Sequence, residues 1–213
     1  MKTKIFLSLL TISLFFVVFM NTDLVDKKLD YSANTTMNII KCSSTNFLLD
    51  DVDSTKQISP LFENLGNHVF TISVNNEKSQ IYFNQGLNLA YAFNHPESHR
   101  SFLEASRLDP NAAMTYWGQA YVLGPNINDQ LPDAERRLKS FEAIQKAKNL
   151  ASRSTPKEQE LIEALSHRYS KDSVDIAELN MAYMKAMTKV ANKYPQDADV
   201  QTLYAAAVMN TVP

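Results

Sequence analysis

Apolar and polar positions follow a helical period over most of the chain after residue 75. Apolar residues that recur three or four positions apart form one face of an amphipathic helix. We therefore predict an all-α domain over residues 75–213, built from seven helices. The first helix is predicted to begin after Asn75-Asn76, the second has Pro96 in its first turn, and the third follows a cap at Asn111. The remaining four are predicted to begin near Asp133, at the capping box Thr155–Glu158, near Ser173 and near Asp197.

Two shorter features complete this pattern. Gly124 and Pro125 are predicted to end the third helix, with the glycine at the position that often takes a left-handed conformation. The stretch 68–74, HVFTISV, alternates apolar and polar residues, and we expect it to dock on the first helix as a brief extended segment.

The helices contain an internal repeat. Tyr82 and Phe83 recur 34 residues later as Tyr116 and Trp117. A second set recurs at an offset of 42, which indicates an insertion between the paired helices. That set is Ser98, Phe102, Ala105 and Leu108, which correspond to Ser140, Ile144, Ala147 and Leu150. The insertion, 124–132, is predicted to be a functional loop.

These residues resemble the tetratricopeptide repeat (TPR) family. The resemblance is carried in order by Tyr82, Gly86, Ser98, Phe102, Ala105 and Pro110. It is closest over 79–112, partial over 113–150 and weak over 175–213, and 93–128 also looks like a group of exported bacterial repeat proteins. It implies a solenoid of antiparallel helix pairs, a TPR-like superhelix, in which the first helix of each pair lines a concave groove.

The resemblance places six residues at groove-facing positions, where we expect a peptide or protein partner to bind. They are Phe83, Leu87, Tyr91, Met114, Trp117 and Tyr121. Asn126 and Asn128 in the insertion add polar contacts. The basic clamp that chaperone-binding members use for a carboxylate is absent, because the matching positions hold Phe83, Leu87 and Gly118.

The N-terminal residues are predicted to direct export of the chain. Lys2 and Lys4 precede an apolar run, Ile5–Met20, which is long for a signal peptide and short for a spanning helix. Residues 1–20 are thus predicted to be either a signal peptide or a membrane anchor, and residues 21–74 a largely extended tether. Either choice places the helical domain outside the cytoplasm, secreted, periplasmic or anchored, with membrane contact only through the N-terminal segment.

Other function classes receive less support. A net charge of -2 gives no reason to expect nucleic acid as a partner. Cys42, the single cysteine, falls in the predicted tether, and the chain has neither a Gly-x-Ser-x-Gly elbow nor a phosphate-binding glycine loop. We predict no enzyme activity, no cofactor and no metal. The charged helix around Glu158, Glu160, Glu163 and Arg168 is typical of a solvated face.

A metal- or cofactor-binding accessory protein is the alternative. His95 and His99 are four residues apart, and Met114 lies nearby if the second and third helices pack against each other. A His/Met site would suit a soft metal in an exported protein.

The last predicted helix, 197–209, has apolar residues on more than one side, among them Leu203, Tyr204 and Val208. A solenoid repeat buries its apolar face against a neighbour. We therefore expect either that the chain is incomplete at its C-terminus or that this end docks on another subunit.

Overall fold

The computed structural model describes residues 55–172 and 175–212. This part of the chain is all-α, with seven α-helices, one short 3-10 turn and no β-strand. The helices are α1 Glu77–Tyr91, α2 His95–Leu108, α3 Ala113–Leu123, α4 Ala134–Leu150, α5 Pro156–Ser166, α6 Ile176–Lys193 and α7 Ala198–Met209, and the 3-10 turn is Ala151–Arg153. The predictions for residues 1–20, for 21–54 and for Cys42 lie outside the described residues.

Side-chain caps fix most helix starts. Asn76, Asp133, Asp175 and Asp197 each accept a hydrogen bond from a first-turn backbone N–H. Thr155 and Glu158 form the predicted capping box. The predicted cap at Asn111 is wrong: the N-cap of α3 is the next residue, Ala112, which has no side chain able to cap the helix.

Neighbouring helices pack in chain order, and α1, α3 and α5 also pack side by side. We call the surface that these helices and α7 present the odd-helix face. Asp199, near the start of α7, ties α7 to this face, since its Oδ1 accepts a hydrogen bond from the Tyr91 hydroxyl at 3.1 Å and lies 2.8 Å from His68 Nε2. Lys157 on α5 adds an ion pair with Asp197 at 2.8 Å.

Phe102 lies at the centre of the first two helix pairs. Its ring is fully buried and 5.3 Å from the ring of Phe83. Gly86 on α1 and Gly118 on α3 face the same ring, and a Cβ at these positions would lie 2.8 and 2.5 Å from it. These two glycines therefore leave the space that the aromatic ring fills.

We expect Gly118→Ala to destabilise the fold although alanine is the better helix former. Overpacking costs about 1–3 kcal/mol, whereas the gain in helix propensity is about 1 kcal/mol. The difference is a net loss of up to about 2 kcal/mol, which should appear in urea melts. The double variant Gly118→Ala/Phe102→Leu should lose less free energy of unfolding than the two single variants lose together. Strictly additive losses would contradict the contact between Gly118 and the Phe102 ring.

Gly124 has a different role from the predicted one. Its φ is -74° and its ψ is -179°, which is ordinary extended backbone rather than the left-handed conformation. A Cβ there would lie 2.2 Å from the Tyr169 hydroxyl, which donates a 2.6 Å hydrogen bond to the Ala120 carbonyl. The glycine is needed because Tyr169 approaches the end of α3 so closely.

Residues 55–74 have no helix or strand and pack against α1. The backbone N–H groups of Phe70 and Ile72 donate to Asn84 Oδ1 and Gln80 Oε1, at 3.2 and 2.9 Å. Both apolar side chains join the core. The predicted docking of 68–74 on the first helix is confirmed.

The last helix has two apolar sides, as predicted. Val200, Leu203 and Ala207 are buried against the core, whereas Val208 and Met209 are exposed. Whether a longer chain or a second subunit covers the exposed side stays a prediction. Within the described ranges, no helix has the length and apolar character needed to cross a membrane.

Candidate binding pocket

A pocket of about 270 Å³ lies on the odd-helix face. It is formed by the C-terminal ends of α1 and α3, the turn that leads from α1 into the start of α2, the loop after α3, the segment after α5 and the last two turns of α7. We call it the odd-helix pocket. Its principal apolar residues are Ala90, Phe93, Ile127, Ala205, Ala206 and Met209, and its principal polar residues are Tyr91, His95, Tyr121, Asn126, Arg168 and Asn210.

Three large apolar side chains of the pocket are exposed. Phe93 is 52% exposed, Ile127 42% and Met209 45%. Exposed apolar side chains that cluster around a concavity are typical of a surface that binds another molecule.

Phe93 is also held in an unusual backbone conformation. Its φ is 60°, in the left-handed region, where the C-terminus of α1 would normally take glycine. Its N–H donates to the Ala90 carbonyl at 3.0 Å and the next N–H, of Asn94, to Leu89 at 2.9 Å, which is the Schellman pattern. A non-glycine residue here costs about 1–2 kcal/mol. An exposed aromatic residue kept at such a position is consistent with a role in binding.

Arg168 is the charged group of the pocket. Its side chain is almost completely buried, with 3% of the residue exposed. Nε donates to Asn180 Oδ1 at 3.0 Å, and the guanidinium lies over the Tyr183 ring, 5.0 Å from its centroid. Nη2 is buried and has no hydrogen-bond partner. Among the described residues, no carboxylate lies within salt-bridge distance of this guanidinium.

Two further pocket residues carry buried polar atoms without hydrogen-bond partners. Both ring nitrogens of His95 belong to this group, and so does Oδ1 of Asn210. Burial lowers the pKa of His95 to about 4, helped by the charge of Arg136 and opposed by that of Asp129. The imidazole is therefore neutral at pH 7. Buried polar groups normally have hydrogen-bond partners, so these atoms are polar groups that a molecule bound in the pocket can contact.

The tyrosines of the pocket stay protonated. Burial raises the pKa of Tyr91, and the nearby Asp199 carboxylate adds to this effect. Burial also raises the pKa of Tyr121, partly offset by the charge of Arg168. The Tyr121 ring stacks on Trp117, with centroids 5.2 Å apart and planes 4° apart. Trp117 is the single tryptophan of the chain, so it can report on events in the pocket.

The structure divides the predicted binding residues into two groups. Tyr91, Tyr121 and Asn126 line the pocket, and Asn128 is exposed in the adjoining loop. The other four, Phe83, Leu87, Met114 and Trp117, belong to the buried core. The prediction that these four face the groove is wrong, because their helical positions point between the helices, where large apolar side chains are most stable.

The metal alternative gains no support from this arrangement. Met114 lies in the core and His99 is buried, whereas His95 lines the pocket. The described part of the chain has no group of three His, Cys, Asp or Glu side chains placed to hold a metal ion. A His/Met site stays an untested prediction.

Sequence reasoning missed Arg168 by assigning it to a solvated helix face. The structure buries both Arg168 and Glu158, so that assignment is wrong for these two residues. A signal was present: Arg168 continues the spacing of Leu161 and Leu165, which form the buried stripe of α5. A charged residue on an apolar stripe indicates either a buried pair or a site.

Neither a family model, a curated protein nor a solved structure matches this chain. Function therefore has to be inferred from the chemistry of the pocket.

Proposed function

We propose that this chain is a non-catalytic binding module, a TPR-type superhelix that binds a peptide or protein partner through the odd-helix pocket. The side-by-side packing of α1, α3 and α5 supports this proposal, since the resemblance implies a binding face made by the first helix of each pair. We also propose that residues 1–20 export the chain, as a signal peptide or an anchor, and that no nucleic acid is bound.

The observation that carries the proposal is the pocket with its exposed apolar residues. A volume of about 270 Å³ is small for a ligand site and suits one large side chain of a partner. Phe93, Ile127 and Met209 would contact the residues that flank this side chain. Aromatic and methionine side chains of this kind are enriched in protein interfaces.

The proposal is tested by filling the pocket. Peptides that bind the full chain are first selected from a displayed random library, and their affinities are then measured by calorimetry. Ala205 is exposed and lines the pocket, so Ala205→Phe should block it without disturbing the core. We expect the affinity of selected peptides to fall at least tenfold, about 1.4 kcal/mol.

Ala177→Phe is the matched control. Ala177 is exposed on α6 and lies away from the odd-helix pocket. This variant should bind the selected peptides as the unmodified chain does. Equal binding by the Ala205 and Ala177 variants, or the absence of any selected binder, would contradict the proposal.

A further inference from the structure

The charge of Arg168 is buried, and no carboxylate of the described residues neutralises it. A buried charge without a counter-charge is costly, because the low-dielectric interior replaces its hydration shell. The guanidinium has one amide acceptor, Asn180, lies over the Tyr183 ring and interacts with the neighbouring Tyr169 hydroxyl, but Nη2 has no acceptor. The contacts with the Tyr183 ring and the Asn180 amide reduce the free-energy cost of burying the guanidinium, but they do not neutralise its charge.

The carboxylates that contact residues around the pocket have other partners. Asp199 interacts with Tyr91 and His68. Asp129 binds Arg136 at 2.7 Å, and Asp133 lies 3.4 Å from the same guanidinium. Arg168 is therefore the charge of the pocket that remains without a counter-ion among the described residues.

We propose that the odd-helix pocket binds a carboxylate attached to an apolar group, with Arg168 as the partner of the carboxylate. Arginine binds carboxylates through two parallel N–H groups, which gives both affinity and orientation. The apolar group would lie against Ala205, Ala206 and Met209 on α7. This proposal deepens the proposed function, on which it rests, by naming the chemistry of the ligand.

The other unpartnered atoms fit the same ligand. A neutral imidazole has one N–H donor and one acceptor, so His95 can donate to a carboxylate oxygen. Asn210 Oδ1 offers an acceptor for an N–H next to the carboxylate. A neutral His95 leaves one positive charge in a largely apolar pocket, which matches a monoanion better than a phosphate dianion.

Two sources can supply this chemistry: a free carboxylic acid, or the C-terminus of a peptide that ends in an apolar residue. The probes are 3-phenylpropionate, with its neutral amide, and acetyl-Gly-Gly-Phe, with either a free or an amidated C-terminus. Binding to the full chain is followed at pH 7.5 by calorimetry and by the fluorescence of Trp117, which stacks on the pocket residue Tyr121.

At least one acid is expected to bind tenfold or more tightly than its own amide. A preference confined to phenylpropionate identifies a free acid as the source, and a preference confined to the peptide identifies a chain terminus. Equal affinities of acid and amide in both pairs, or no binding of either acid, would overturn the carboxylate proposal. Library peptides that remain sensitive to Ala205→Phe would leave the proposed function standing in that case.

Arg168→Gln supplies the second readout. It should abolish the preference for acid over amide while the amides keep their affinity. Arg168 also contacts Asn180 and Tyr183, so the variant is used only if its circular dichroism matches that of the unmodified chain. The comparison of acid with amide on the unmodified chain remains decisive if the variant does not fold. A folded Arg168→Gln variant that keeps the full acid preference would overturn the role of Arg168.

Discussion

Phe102→Ala is expected to lower the free energy of unfolding by about 3–5 kcal/mol. The ring is fully buried, and the backbones of α1 and α3 approach it at two glycines, Gly86 and Gly118. Helices that pack at glycines cannot easily move inward, so the cavity should persist after the ring is removed. Urea melts followed by circular dichroism measure the loss.

The control is Leu138→Ala, which removes an apolar side chain that is exposed on α4. It should change stability by less than about 0.5 kcal/mol. A loss below about 1 kcal/mol for Phe102→Ala would mean that α2 does not present this ring to the core.

Mild acid is expected to destabilise the fold through two histidines. Burial lowers the pKa of His95 to about 4 and that of His99 to about 3, and nearby positive charges add to both shifts. Unfolded histidines titrate near 6.5, so below that pH the unfolded chain takes up protons that the folded chain excludes. The stabilisation is complete above pH 6.5 and is lost as the pH falls from 6.5 towards the folded pKa values.

Between pH 7 and pH 5 each histidine should remove about 2 kcal/mol of stability. Denaturant melts at several pH values within this window measure the slope, and stopping at pH 5 avoids most carboxyl titration. His95→Gln and His99→Gln should each flatten the slope by about half. A slope that survives both the His95 and the His99 substitution would show that other groups cause the acid sensitivity.

Local signals in the sequence predicted the helices well. Asn76, Asp133, Thr155 and Asp197 act as caps in the structure because a side-chain oxygen satisfies first-turn N–H groups without help from distant residues. The missed cap at Asn111 follows the same logic. The Asp109 carboxylate accepts a hydrogen bond from the Asn111 backbone N–H, and Ala112 then becomes the N-cap of α3.

The pocket could not be predicted from local signals. It depends on α7 lying against the end of α1, a contact fixed by Tyr91 and Asp199 across 108 positions of the chain. The spacing of apolar residues predicts that α1 and α3 are helices. It does not determine which of their apolar sides faces the core. The pattern therefore predicts Phe83 and Trp117 in a groove, whereas both pack between helices. Tyr91 and Tyr121 lie at the helix ends, where that packing stops.

The most direct test of the central claim is a methyl NMR titration of the full chain with a library-selected peptide. We predict shifts for the methyl groups of Ala205, Ala206 and Met209, which line the pocket. The methyl groups of Ala177 and Met181 on the exposed face of α6 should stay unchanged. Shifts confined to α6, or binding without any change in the pocket methyl groups, would contradict the claim that this chain binds its partner through the odd-helix pocket.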